Sequence, residues 1–320
     1  MRVGLVYQDR KKWLKFRWVH SAFDRLGHET VRCRTIDEVR AADRDCDLLL
    51  FEQRNAGLNE RELLGVEKSG NAIWSQWWFD LIRRDDPIEE LESQHLVRQF
   101  GDVMQKMDVV FVKDTWLEEY AEFGVDAIHL DQGCPFNLPA CEHHEAPEFD
   151  AIFVGSATKH YPERLAALRL LCDEGLRVAV AGDSGAYPPQ ATRLGWVDPF
   201  NLPAQFSRAA IVIHIDIRHD VPSYRSDSFW MKLGAGACVL KRGGIDDPQG
   251  PYFTHEELGG LLNATSQLLR EPLRRSQIGR SARRWVMREH TYEHRIEELV
   301  RHVEGIKNDR TASRPAVPAV

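Results

Sequence analysis

The sequence predicts an α/β protein of two parallel-sheet domains joined by an irregular linker. Three observations carry that reading. The chain has 320 residues, more than the ~100–200 of one ordinary domain. Short apolar runs alternate with amphipathic helical stretches, the pattern of a parallel sheet covered on both faces. The alternation stops at residues 131–148, which are rich in proline and polar side chains, and then restarts.

In the first half, residues 2–7 read as a buried strand. Residues 11–26 place Trp13, Phe16, His20 and Phe23 on one helical face, and Gly27 is placed to stop that helix. Strands follow at 29–33, 47–52, 72–76, 108–112 and 125–130, with helical stretches near 59–68, 88–106 and 115–123. The segment 131–148 (DQGCPFNLPACEHHEAPE) has neither period and reads as an interdomain linker. The second half has strands at 149–154, 177–181, 210–215 and 237–240. Its helices fall near 162–174, 201–208, 226–235, 255–270 and 273–288. A last helix over 291–306 carries Tyr292, Ile296, Leu299, Val303 and Ile306, and 307–320 reads as a disordered tail. Domains are thus expected at 1–130 and 149–290.

Composition narrows the function classes. The apolar fraction of 43% and charged fraction of 28% are those of a globular chain. The net charge of −7 argues against a globally basic nucleic-acid binder. Residues 1–140 hold 19 basic and 26 acidic residues, and the rest holds 23 of each. No run approaches the ~18 apolar residues of a membrane helix. The chain goes from Met1-Arg2 directly into an apolar strand, so no signal peptide and a cytoplasmic location are expected. The six cysteines form no C-x-x-C pair and read as reduced thiols. Cys134, Cys141, His143 and His144 match no common zinc spacing, so no metal is expected.

Dinucleotide chemistry lacks its fingerprint. The segment after the first strand is YQDRKKW, without glycine, and Gly234-Ala235-Gly236 lies between a helix and a strand, the wrong context. A Walker A motif is absent as well.

Two helix starts in the second half suit an anion. In the first, a strand runs into Gly155-Ser156-Ala157-Thr158-Lys159-His160-Tyr161-Pro162. Gly155 allows close backbone approach, while Lys159 and the helix N-terminus favour negative charge. The competing reading is an ordinary strand-to-helix turn. In the second, Arg225 precedes a helix that Ser226 or Asp227 can cap, against a plain capped helix with a solvated arginine. Together they suggest a diphosphate-linked ligand.

The segments DAIFVGS, YRSDSFWMKLGAGACVLK and QIGRSARRWVMREHTYEHRIEELV resemble the C-terminal domain of GT-B glycosyltransferases, in particular the CgeB-like spore-maturation group. The match covers about 149–300; the first half is similar only in topology. The resemblance implies two Rossmann-like domains facing across a cleft and a metal-independent, hexosyltransferase-like enzyme. It would move a sugar from a nucleotide-diphosphate sugar to a hydroxyl. The acceptor would be a small molecule, a glycan or a hydroxymethylated DNA base. Donor contacts would come from Gly155, Ser156, Lys159, Gly182, Trp196, Arg225, Ser226 and Asp227, with Arg225 also catalytic. No cofactor beyond the nucleotide-sugar is implied. The chain departs from the family pattern at Met231, where a ribose-binding Glu is expected, and at Ser228, where an Arg is expected. These departures keep open a non-catalytic nucleotide- or sugar-binding protein of the same fold.

The first half would then take the acceptor. Lys11, Lys15 and Trp18 share a helical face in a basic, aromatic segment that would steer a phosphate-bearing acceptor, against a solvated amphipathic helix. Trp77 and Trp78, with Trp74 and Phe79, offer an aromatic platform or simply core. Asp80, Glu52 and Asp114 lie near strand carboxyl ends as candidate general bases, with Asp80 preferred for its place beside the tryptophans.

Overall fold

The computed structural model describes residues 1–7, 15–52, 58–79, 101–113, 115, 117–157, 161–182, 186–216, 225–243, 250–255 and 257–312. Lys11, Trp13, Asp80, Asp114, Lys159 and most of the helical stretch expected over 88–106 lie outside the described residues. The chain forms two compact units, one of residues 1–131 with 292 onward, the other of 132–291.

The first unit runs β1 (Arg2–Val6), α1 (Lys15–Arg25), β2 (Glu29–Cys33), α2 (Ile36–Asp45), β3 (Leu48–Glu52), α3 (Glu60–Leu64), β4 (Ile73–Trp78), β5 (Val109–Val112), α4 (Leu117–Ala121) and β6 (Ala127–His129). Its strands pair in parallel in the order β2-β1-β3-β4-β5-β6. Strands β3, β4 and β5 are buried at every position, as interior strands covered on both faces must be. Local signals set the helix starts. Thr35 caps α2 by accepting from the Glu38 amide, and Glu38 accepts in return from the Thr35 amide, a reciprocal box that satisfies two otherwise unpaired donors.

The second unit runs β7 (Phe149–Val154), α5 (Pro162–Asp173), β8 (Val178–Ala181), β9 (Thr192–Gly195), a short 3₁₀ turn, α6 (Leu202–Ser207), β10 (Ala209–His214), α7 (Asp227–Gly234), β11 (Val239–Arg242), β12 (Phe253–His255), α8 (Leu258–Arg270) and α9 (Pro272–Glu289). Its strands, also parallel, are ordered β12-β11-β10-β7-β8-β9. The chain then returns to the first unit as α10 (Tyr292–Ala312). Pro162 and Pro272 open α5 and α9 at positions where the missing N–H costs nothing.

Each sheet has one point where the chain stops building outward on one side and starts on the other. In the first unit this lies between β1 and β3, in the second between β7 and β10. Ligands of open α/β sheets bind outside the strand carboxyl ends at such a point.

Several expectations need correction. Residues 307–312 are not tail: α10 runs to Ala312, and the Lys307 ammonium lies 2.6 Å from an Asp47 carboxylate oxygen. Strands β9 and β12 were not expected. The former is short and largely exposed, so it lacks the apolar run that marks a buried strand. Helix α3 stops at Leu64, where Gly65 forms the cap. The segment expected as a linker is exposed over much of its length, and its residues from Gln132 are part of the second unit rather than separate from it. Gln132 and Cys134 are inaccessible, the Cys134 amide donates to the His290 carbonyl, and the Cys141 amide donates to that of Ala235.

Candidate functional site

In the second unit, the loops leaving β7 and β8 begin at Gly155 and Gly182, β9 ends at Gly195, and backbone stitches the three together. The Gly155 amide donates to the Ala181 carbonyl, and the Gly182 amide donates to the Gly195 carbonyl, each at 3.0 Å. Gly155 and Gly182 hold φ of 142° and 150°, a region that side chains rarely adopt. A Cβ at Gly182 would stand 2.6 Å from the Tyr187 hydroxyl and 2.9 Å from the Gly155 carbonyl oxygen. The Tyr187 hydroxyl itself donates to that carbonyl at 2.5 Å. The sequence therefore leaves backbone, not side chain, at the mouths of these loops. Gly182→Ala should cost roughly 1–3 kcal/mol from backbone strain alone, plus the clash. Gly27→Ala, also at positive φ but with nothing within 4 Å of the added carbon, is the control. Urea unfolding of the two variants checks the difference.

Both helix starts in this region lack a side-chain cap. At α5 the residue before the helix is Tyr161, and at α7 it is Ser226; neither side chain bonds the helix amides. Free N–H groups at a helix start attract anions. Arg164, in the first turn of α5, lies over the Tyr161 ring and donates from its Nε to the Ile215 carbonyl and from Nη1 to the Ser156 carbonyl, each at 2.9 Å. Ser156 is exposed. Arg225 is only 9% exposed, with its guanidinium 5.5 Å from the centre of the Trp230 ring. It is therefore packed as well as charged, which goes against the competing reading of a solvated arginine. Met231 is buried core. Trp196, 57% exposed, stands at the end of β9.

Beneath this surface lies a buried charged cluster at the β7/β10 switch point. His214 ends β10, Asp216 follows it, Lys241 sits beside His214 on β11, and Lys232 comes from α7; none is more than 4% exposed. The Lys232 ammonium is 2.9 Å from His214 Nδ1 and within 3.5 Å of the Val154 and Ile213 carbonyl oxygens. His214 Nε2 is 2.8 Å from Asp216 Oδ1, which also accepts from the Ser226 hydroxyl at 3.3 Å. Lys241 lies 3.4 Å from the other Asp216 oxygen. Since Lys232 has only protons to offer, Nδ1 accepts and Nε2–H donates, so His214 is neutral. Burial pushes its imidazole down to about 4, against the pull of Asp216. Burial also opposes the Asp216 carboxylate, but the hydrogen bond to His214 and the nearby lysines outweigh it and hold the carboxyl below its usual range. Burial, then the charge of Arg164, lowers the Lys232 ammonium to about 7, against Asp216 and Asp227.

The cluster escaped the sequence reading, although it left a signal. Lys232 interrupts the apolar run FWM-LGAG inside a helix, and His214 ends an otherwise apolar strand. A charged residue inside such a run is either exposed by a break in period or held by partners.

The first unit corrects the acceptor reading. Trp18, Trp77 and Trp78 are buried, not an open platform. Trp18 and Trp77 pack against Tyr292 of α10, with ring centres 5.8 and 6.2 Å apart. The Trp78 indole N–H donates to the Gln76 side-chain oxygen at 2.7 Å. Helix α1 is covered by both the sheet and α10, so its buried stripe is wider than one face and takes in Trp18. Lys15 places its ammonium 5.5 Å from the centre of the Phe79 ring. Glu52, 8% exposed, ends β3 at the β1/β3 switch point. Cys134 is buried, with its thiol toward the Pro135 carbonyl, and His144 pairs with Glu142 at 3.8 Å. Among the described residues, no helix is long and apolar enough to cross a membrane.

Comparison with known proteins places this geometry. Residues 162–301, less than half of the chain, match the family model described as glycosyl transferase-like. No curated protein matches. Among solved structures, the chain is similar to the DNA-modifying enzyme β-glucosyltransferase, solved with and without uridine diphosphoglucose. The TM-score is 0.67 at 11% identity, over 95% of this chain and 100% of that one. It is also similar to WaaG, a glycosyltransferase involved in lipopolysaccharide biosynthesis, with a TM-score of 0.55 at 10% identity over 93% and 98% of the two chains. A third is a mutant of S. aureus TarM in complex with fondaparinux, α-GlcNAc-glycerol and UDP. Its TM-score is 0.56 at 9% identity, covering 80% of this chain and 55% of that one. The two six-stranded parallel sheets, flanked by helices, are the GT-B architecture.

Proposed function

We propose that the protein is a glycosyltransferase that moves a sugar from a nucleotide-diphosphate sugar to a hydroxyl acceptor, and that it belongs to the CgeB-like group. The observation that carries this is the convergence at the β7/β10 switch point. Glycine-mouthed loops, an uncapped α7 start and the buried cations Arg225, Lys232 and Lys241 meet there. Such a site suits a diphosphate. The family match over 162–301 and the GT-B neighbours support the same reading.

In this reading Gly155, Ser156 and Gly182 bring backbone to the donor, while Ser226 and Asp227 stand at the α7 start. Trp196 offers an exposed face to the base, and Lys159 adds charge in the adjoining loop. Negative charge grows on the leaving diphosphate as the sugar bond breaks, so donors aimed at it count most in the transition state. Arg225 and the α7 amides supply that stabilisation, a task these cations perform without requiring a metal. With Met231 in the core, ribose contacts fall to other residues, Asp227 first. The first unit takes the acceptor. Of the three carboxylates named as general bases, Glu52 is the one the described structure places at the β1/β3 switch point, and it stands as the alternative to the preferred Asp80.

A hydroxymethylated base in DNA is a second acceptor reading, favoured by the likeness to a DNA-modifying glucosyltransferase. The protein should release free nucleotide slowly from at least one of UDP-, GDP-, ADP- and dTDP-sugars, as water replaces the acceptor. Tight binding with no release over days would favour the non-catalytic alternative. Retardation of hydroxymethylated DNA, weakening steeply with salt, would support the DNA acceptor.

A further inference from the structure

We propose that Lys232 is the positioning residue of the donor site: through His214 and Asp216 it fixes the start of α7 and places a buried positive charge behind it. The inference rests on the donor-site reading above and deepens it.

Lys232 is the sixth residue of an eight-residue helix whose other buried positions are Phe229, Trp230, Met231, Leu233 and Gly234. Its ammonium is fully buried and bonds to two carbonyls and an imidazole, all neutral. A buried ammonium bonded to neutral acceptors is costly to maintain. The geometry shows what that cost maintains. The two carbonyls belong to Val154 and Ile213, at the ends of the two strands that flank the switch point. The imidazole orients Asp216, and Asp216 holds the hydroxyl of Ser226, the residue before α7. A continuous chain of polar contacts thus runs from both strand ends to the helix start, at the same edge of the parallel sheet as Gly155 and Gly182. Strand ends, helix start and charge move together, and the charge lies where a diphosphate is to be held.

The charged groups facing Lys232 come from every neighbouring element. They are Arg164 of α5, His214 of β10 with Asp216 beyond it, and Asp227 at the start of α7, while Lys241 of β11 lies on the far side of Asp216 and Arg225 packs over Trp230. Burial lowers the Lys232 ammonium to about 7, so its proton is lost near neutral pH, where His214 is already neutral. Donor affinity should therefore fall as pH rises through that region, because the site loses positive charge.

The test is calorimetric titration with UDP-glucose, GDP-mannose, ADP-glucose and dTDP-glucose at pH 6.0 and 8.5. Nucleotide-sugars are used because both phosphates are esterified and keep their charge over this range. The full-length wild type should bind at least one of them, roughly tenfold tighter at the lower pH, the size of effect a unit charge exerts at partly screened contact range. Lys232→Met, similar in volume, should bind more weakly at pH 6.0 and lose the pH dependence. Wild type that binds none of the four would sink the donor-site reading itself, and this inference with it. Wild type that binds with no change between the two pH values, or a Lys232→Met variant with wild-type affinity and pH profile, would overturn the positioning role alone. Should Lys232→Met not fold, Asp216→Asn provides the second arm. It keeps the shape but breaks the polarity of the chain to Ser226, and unchanged donor affinity in that variant would also contradict the proposal.

Discussion

Replacing Arg225 by alanine should lower turnover by roughly 10²–10³-fold, the loss seen when a donor aimed at developing charge is removed. The guanidinium belongs to the residue just ahead of Ser226 and α7, whose amides carry no side-chain cap. As negative charge accumulates on the departing diphosphate, both should bind it more strongly than they bind the ground state. The kcat should therefore fall by more than donor affinity does. Arg225→Lys should recover only part, because a point charge cannot reproduce a bidentate fork. The packing of Arg225 over Trp230 adds a stability cost absent from the simplest account. The variant should unfold at slightly lower urea concentration, and kinetics must be read under conditions where it is fully folded. Unchanged kcat in folded Arg225→Ala would mean that the residue is structural only.

Truncation before Tyr292 should unfold the first unit. Helix α10 buries Tyr292, Ile296, Leu299 and Val303, each fully or nearly inaccessible. At ~1.5–3 kcal/mol per buried side chain, their combined loss is comparable to the whole ~5–15 kcal/mol stability of a typical domain. The loss also bares Trp18 and Trp77, which pack on Tyr292. Truncation after Gly305 is the contrasting case. It removes the Lys307–Asp47 and Arg310–Asp108 pairs, whose side chains are partly exposed, and should cost at most about 1 kcal/mol for each. Circular dichroism melts of the two truncations decide the matter. A Tyr292 truncation that melts like the intact protein would show that α10 is dispensable.

What is legible in the sequence follows from how each feature writes itself into residue order. The stretches 48–51 and 210–213 are buried on both faces and appear as unbroken apolar runs. Helix α2 was not among the expected helices, although Thr35 and Glu38, three residues apart, mark its start. The two helix starts at Gly155 and Arg225 are visible because a glycine or an arginine at a strand-to-helix turn suits an anion, although an ordinary turn reads the same way. Burial of the tryptophans is not. Trp77 and Trp78 lie at the end of β4, where an exposed platform and a covered core read alike, and the late return of the chain as α10 is what packs against Trp77. The His214–Asp216–Lys232 cluster is hidden for a related reason. Its members meet because α7 brings its lysine to the end of β10, and each alone resembles an isolated polar residue in an apolar run.

The most direct test of the donor site is a crystal structure of the protein grown with UDP, GDP, ADP or dTDP at saturating concentration. The diphosphate should lie outside the carboxyl ends of β7 and β10, against the Gly155 loop and the first amides of α7, with Arg225 in contact. A nucleotide held at another place on the chain, with this region empty at saturation, would contradict the account.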